Sequence, residues 1–308
     1  MKLELDQLID PRLAPLVEES RAFYADRGAG RGPASWEELC AVRAGAPAPQ
    51  MSEPPAVEEL VSFDGHEVPL RIHVPVDRPA GGVVLEIHGG GFYLGPAGGS
   101  DLRNRRLADT LGVVVASVDY RLAPEHPWPA APDDCEAAAL WLAGRSAERF
   151  GTSKLSVVGF SAGATLAVAT LLRLRDRGIC VVDTAVLQFG TYDLSGQTPA
   201  GRLIADEYFL EAYAGPASDR THPDLSPIYA DLTGLPPVLM VVGDCDVLLQ
   251  DNLAMAGRLS AAGVDVDLRL YPEAPHGFTA HPTPMARAAL EDIEAWLGHL
   301  APSVRRAR

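Results

Sequence analysis

The chain has 308 residues, room for one large domain with a modest accessory piece, and 47% apolar against 22% charged residues suits a soluble globular protein with a sizeable core. Its 26 Lys and Arg against 41 Asp and Glu give a formal charge of −15, which repels phosphate backbones and anionic lipid headgroups. That charge argues against nucleic-acid and membrane-surface partners. The opening M-K-L-E-L-D-Q carries acids where an export signal needs an apolar core, and no apolar run is long enough to span a bilayer, so a cytoplasmic location is expected. The four cysteines, Cys40, Cys135, Cys180 and Cys245, show neither metal-ligand nor redox spacing and are expected to be small, mostly buried residues.

In chain order, residues 1–55 read as a helical segment with a linker. Leu13, Leu16, Val17 and Phe23 recur at roughly helical spacing, and Ser35-Trp36-Glu37-Glu38 has capping-box form. The proline-rich A-P-A-P-Q-M-S-E-P-P at 46–55 is the linker. From there to residue 308, short apolar strands alternate with helices. Strands are predicted at Val68–Val74, Gly82–Ile87, Val113–Val118, Leu155–Val158, Ala185–Gln188, Val238–Val242 and Val266–Leu270. Several are unbroken β-branched runs, the mark of strands buried on both faces. Helices are predicted at Leu102–Leu111, Cys135–Arg149, Ala164–Arg177, Leu248–Ala261 and Ala286–His299. Such alternation predicts an α/β fold, a mostly parallel sheet flanked by helices. The stretch at 190–230 breaks the rhythm and holds Tyr192, Tyr208, Phe209 and Tyr213, with Ile204 four residues before Tyr208. It reads as an insertion with its own helix lying over the end of the sheet, its aromatics serving mainly to pack that helix down.

Chemistry enters at Gly159-Phe160-Ser161-Ala162-Gly163, a G-x-S-x-G pattern with an apolar strand before it and an Ala- and Leu-rich helix after it. Glycines two before and two after the serine let strand and helix approach around a strained turn that lifts the hydroxyl above the sheet. The rival reading, a serine that merely caps the helix, is weaker in that setting. A serine hydroxyl needs a base held against it and a third group to orient the base. His276, in Y-P-E-A-P-H-G-F between the last strand and the last helix, stands where a base belongs. His66, His73, His126 and His299 lie in strand, loop or tail contexts with structural explanations. For the acid, Asp244 and Asp246 both follow a buried strand and spacing does not separate them, whereas Asp251 falls inside the next helix.

At 88–92 stands H-G-G-G-F, directly after a strand. Three successive glycines permit a backbone whose N–H groups turn inward toward an anion, and no G-K-[ST] follows to make the loop a phosphate cradle. The amides of Gly90, Gly91 and Ala162 are the expected oxyanion donors, each worth about 3–4 kcal/mol to the transition state. Gly89 and His88 support the loop, His88 as a brace and not a base.

These motifs, with D-Y-R-L-A-P-E-H-P-W-P-A-A-P-D-D-C at 119–135, S-P-I-Y-A-D-L at 226–232, D-V-L-L-Q-D-N at 246–252 and H-G-F at 276–278, resemble the hormone-sensitive-lipase-like branch of the α/β-hydrolases, bacterial carboxylesterases among them. The resemblance runs from residue 60 to the last helix and implies an α/β-hydrolase fold. It implies that Asp246 is the acid of the triad, that the 119–135 segment supports the glycine loop, and that residues 1–55 with an insertion at about 190–225 cap a catalytic domain at 56–308. It also implies that a homodimer is a common state of such chains.

One departure stands out: the family elbow is commonly G-D-S-A-G-G, and here Phe160 takes the place of the carboxylate. With Phe92 and Phe278, Phe160 is a candidate for the substrate pocket. The expected function is hydrolysis of short-to-medium acyl esters, small-molecule substrates, through an acyl-enzyme on Ser161, with no metal and no organic cofactor. Two other readings are a carbon–oxygen lyase using the same oxyanion hole and a non-catalytic small-molecule receptor.

Overall fold

A computed structural model describes residues 8–27 and 32–301; the opening residues read for an export signal, 1–7, lie outside the described residues. The helices are α1 (Val17–Tyr24), α2 (Trp36–Gly45), α3 (Asp101–Leu111), α4 (Ala130–Phe150), α5 (Ala162–Asp176), α6 (Tyr208–Ala214), α7 (Leu249–Ala261) and α8 (Pro284–Leu297). The strands are β1 (Val57–Phe63), β2 (His66–His73), β3 (Val83–Ile87), β4 (Val114–Val118), β5 (Leu155–Phe160), β6 (Val182–Gln188), β7 (Val238–Gly243) and β8 (Val266–Tyr271). They form one sheet in the order β1-β2-β4-β3-β5-β6-β7-β8. The β1–β2 and β2–β4 pairings are antiparallel, and every pairing from β4 through β8 is parallel. The expected mostly parallel sheet is present.

Strand alternation divides the core in two. Val83, Leu85 and Ile87 of β3 join one cluster with Cys135, Leu142, Leu166, Leu171, Met255 and Leu259, from α4, α5 and α7. Val84 of the same strand joins the other, with Ala108, Val158, Met285, Ile293 and Leu297, from α3, α5's preceding strand and α8. All five residues of β3 and all five of β4 are buried, as their mostly apolar runs predict, and the two polar members, Glu86 and Ser117, are buried with the rest. Because β3, β5, β7 and β8 run parallel, the loops that leave their C-terminal ends gather at one edge of the sheet, where α/β sheets place their sites.

Four expectations need correction. The sequence predicts no strand at 57–63, yet β1 forms there, an edge strand in which only Val61 is buried, so period-two burial is nearly invisible. Helix α4 starts at Ala130 and not at Cys135, because Pro132 falls in its first turn, where a missing N–H costs little. Ile204 precedes α6 and does not share its face. Of the cysteines, only Cys135 is buried; Cys40, Cys180 and Cys245 are exposed.

The N-terminal segment is tied down by specific bonds. Ser35 caps α2 by accepting from the Glu38 amide at 3.2 Å, and Glu38 Oε2 accepts from the Ala34 amide at 2.8 Å. Arg43 of α2 donates to the carbonyls of Tyr93 at 2.8 Å and Ala123 at 2.6 Å. Ser20 of α1 donates to the Glu273 carbonyl at 2.7 Å, and Tyr24 is 2.9 Å from Nδ1 of His281. Both helices therefore grip loops at the C-terminal edge of the sheet. No helix among the described residues is long and apolar enough to cross a membrane.

Candidate active site

The turn between β5 and α5 carries Ser161 at φ 54°, ψ −120°, a left-handed backbone that a side-chain-bearing residue adopts only under strain. Close approach is what demands its flanking glycines: a Cβ built on Gly163 would lie 2.0 Å from the carbonyl oxygen of Ile87. The Ser161 side chain makes no capping bond to α5, which removes the helix-cap reading. Its Oγ instead lies 2.9 Å from Nε2 of His276.

His276 sits in the loop after β8 with its side chain 36% exposed. Its Nδ1 is 3.1 Å from Oδ1 and 3.0 Å from Oδ2 of Asp246. The Asp246 carboxylate is fully buried and also accepts the Leu248 amide on Oδ1 at 2.8 Å, so it is oriented from two sides. Asp244, its rival by spacing, is exposed on the same loop. A carboxylate facing Nδ1 keeps the proton there and leaves Nε2 free to accept from a hydroxyl.

The glycine loop follows β3. Gly90 has φ 119°, and a Cβ there would lie 2.0 Å from the Leu94 carbonyl oxygen, so no other residue fits. His88 is buried, stacked on Tyr120 at 4.1 Å between ring centres, with Nδ1 2.8 Å from the Gly89 carbonyl. Burial holds its pKa below the usual imidazole value, so it stays neutral as a brace. The 119–135 segment does support this loop, residue by residue. Tyr120 donates to the His88 carbonyl at 3.0 Å, Asp119 accepts the Ala97 amide at 2.8 Å, and the Ala123 amide donates to the Phe92 carbonyl at 3.0 Å. Arg121 is paired with Asp134 at 2.9 Å within the same segment.

Of the three phenylalanines expected at a pocket, Phe92 and Phe278 have no exposed surface, and Phe92 is stacked on Tyr213 at 4.0 Å. They are packing residues, because the rings that would have to face a substrate are covered by α6 and the sheet edge. Phe160 is partly exposed. Phe209 of α6 packs close to the glycine loop: a Cβ built on Gly91 would lie 3.5 Å from Cβ of Phe209 and 3.6 Å from the Tyr93 ring. Tyr192 and Tyr213 are buried core, as the packing reading expected.

Asp251 is the acid that falls inside a helix. It lies buried in α7, where its Oδ2 accepts the amides of Tyr192 at 2.5 Å and Asp193 at 3.3 Å and so pins the exit of β6. Burial pushes its pKa up to about 6. An unfolded chain releases this proton near pH about 3.9. The folded state thus holds more protons between about pH 4 and 6, and stability falls as pH rises through that window. The cost reaches about 3 kcal/mol. Urea unfolding of the wild type and Asp251→Asn at pH 4.5 and 7 measures it: the wild type is expected to lose ground to the variant as pH rises. Parallel slopes would refute the assignment.

Comparisons with known proteins find relatives of this chain. A family model described as the alpha/beta hydrolase fold matches residues 84–280. The chain is 34% identical over 261 residues to the ethyl acetate hydrolase of Pseudomonas putida, spanning 79% of this chain and 80% of that protein. It is 32% identical to an arylesterase of Saccharolobus solfataricus, over 76% of this chain and 82% of the relative. Among solved structures, a hyperthermophilic esterase from the archaeon Pyrobaculum calidifontis has a TM-score of 0.76 at 30% identity, covering 94% of this chain and 98% of that one.

Proposed function

The chain belongs to the alpha/beta hydrolase fold family, in its hormone-sensitive-lipase-like branch, and we propose that it hydrolyses carboxylic esters through an acyl-enzyme on Ser161. The observation that carries this reading is the continuous relay from Ser161 Oγ to His276 Nε2 at 2.9 Å and from His276 Nδ1 to Asp246 at 3.0 Å. His276 accepts the serine proton as Oγ attacks the ester carbonyl, and Asp246 stabilises the imidazolium that forms. The tetrahedral oxygen is held by the amides of Gly90, Gly91 and Ala162, the last at the N-terminus of α5, where the helix dipole favours negative charge. His276 then returns the proton to the departing alcohol, and a water activated by the same imidazole releases the acid.

The substrates are short-to-medium acyl esters. Phe209 and Tyr93 stand within ordinary contact distance of a Cβ on Gly91, a low roof over one of the oxyanion donors. Residues 1–55 and about 190–225 act as the cap that carries this roof over the catalytic domain at 56–308. A receptor has no use for a hydroxyl held 2.9 Å from an imidazole that a buried carboxylate orients in turn.

A fluorophosphonate probe tests the reading. Stoichiometric labelling of the peptide that contains Ser161, together with 4-nitrophenyl ester turnover that falls as the acyl chain lengthens, is the expected result. Absence of label would leave the receptor reading, and label without release of acid from esters would leave the lyase.

A further inference from the structure

Phe160 takes no part in the proton relay, yet it replaces a carboxylate in the elbow itself. Its surroundings explain what a ring does there. A Cβ built on Gly89, the first glycine of the oxyanion loop, would lie 2.6 Å from Cδ1 of Phe160, so the ring lies directly against that loop's backbone. On its other side it meets Phe189 in a T-shaped contact, ring centres 4.7 Å apart at 82°. The Arg103 guanidinium lies over the Phe160 ring, 5.2 Å from its centre, and is itself held by Glu86 at 2.8 Å and Ser100 at 2.9 Å.

Phe189 is the second link. It is fully buried at φ 38°, a left-handed conformation that phenylalanine adopts only when its surroundings impose it. Its amide donates to the Val241 carbonyl at 2.8 Å, and the Ser161 amide donates to the carbonyl of neighbouring Gln188 at 2.9 Å. The backbone that sets Phe189 is therefore bonded to the nucleophile's own backbone. From there the Phe189 ring stands against the His276 ring, centres 5.1 Å apart at 72°.

We propose that Phe160 is a positioning residue for catalysis: through Phe189 it keeps the His276 ring on Ser161, and through Gly89 it steadies the oxyanion loop. The inference rests on the Ser161–Asp246–His276 reading above. A histidine ring turns about χ1 and χ2, and an aromatic wall packed against it narrows those torsions to the rotamer that its hydrogen bonds need. A carboxylate at position 160 would stand beside Arg103, compete with Glu86 for it and leave the edge of Phe189 uncovered.

The test compares Phe160→Leu, Phe160→Tyr, Phe189→Leu and the Leu/Leu double variant in the full chain, with Ser161→Ala as reference, on 4-nitrophenyl butyrate. Fluorophosphonate titration counts competent sites, so misfolded molecules do not enter kcat. Phe160→Leu is expected to lower kcat about tenfold with KM within about twofold, since misplacing a catalytic group costs turnover and not ground-state binding. Phe160→Tyr, which keeps the ring, is expected to retain at least about half of kcat. The double variant is expected to fall no further than the worse single one, because both act on one imidazole. Wild-type kcat in Phe160→Leu, equal losses in Phe160→Tyr and Phe160→Leu, or losses that multiply in the double variant would each overturn the proposal. Full activity in Ser161→Ala would instead overturn the site reading beneath it.

Discussion

Ser161→Ala is expected to lower kcat by about six orders of magnitude, to the level that the oxyanion donors and substrate binding supply alone. The size of the loss follows from the relay. Without Oγ there is no acyl acceptor, and His276 Nε2, now 2.9 Å from nothing that can be acylated, can only direct water at the carbonyl. The substitution is clean because alanine keeps the Cβ and the same φ of 54°, so the strained turn is neither relieved nor worsened. Nor does the hydroxyl cap α5, so helix stability does not change with it. Unfolding midpoints within error of wild type, with turnover of 4-nitrophenyl esters gone, are the paired measurement. Activity within tenfold of wild type would show that another group carries the acyl chain.

Legibility of this molecule divides along sequence distance. The V-V-A-S-V run of β4 declared a strand covered on both faces because burial needs no partner to be named, only small and apolar side chains in succession. The Ser161 turn was readable for a similar reason: the glycine at 163 and the serine at 161 record a local steric demand, and the structure shows the Ile87 carbonyl that makes it. Spacing could not choose between Asp244 and Asp246, since the choice depends on which carboxylate turns inward toward a loop 30 residues away. The family resemblance chose Asp246, and the structure buries that carboxylate against His276. Phe189 left no trace in the sequence. Its strain, its burial and its contact with His276 arise from the crossing of β6 with loops far along the chain, and a phenylalanine after V-L-Q reads as the end of one more strand. The exposed cysteines teach the converse: residue type alone predicts burial on average, and Cys40, Cys180 and Cys245 sit where no apolar surface covers them.

Asp246→Asn is the second large effect, expected at about 10⁴-fold in kcat with the fold intact. The hydrogen-bond pattern dictates the direction. Oδ1 of Asp246 is engaged by the Leu248 amide at 2.8 Å, a donor that only an oxygen can satisfy. An asparagine therefore keeps its carbonyl oxygen on Leu248 and places its NH₂ at the Oδ2 position, 3.0 Å from Nδ1 of His276. Nδ1 lies between the two positions, 3.1 Å from Oδ1 and 3.0 Å from Oδ2, so its proton would share one oxygen with Leu248 and meet a donor on the other side. The tautomer with its proton on Nε2, whose Nδ1 accepts from that NH₂, is favoured instead. Nε2 then points a proton at Ser161 Oγ and has no lone pair with which to accept one. The imidazolium of the transition state also loses the buried carboxylate that balances its charge. Exposed Asp244 supplies the internal control: Asp244→Asn is expected to leave kcat unchanged, which separates a lost local charge from a lost partner. A stopped-flow comparison of acylation rates at pH 7 reads both variants at once. If Asp246→Asn acylates within tenfold of wild type, or if Asp244→Asn falls with it, the orienting role assigned to Asp246 fails.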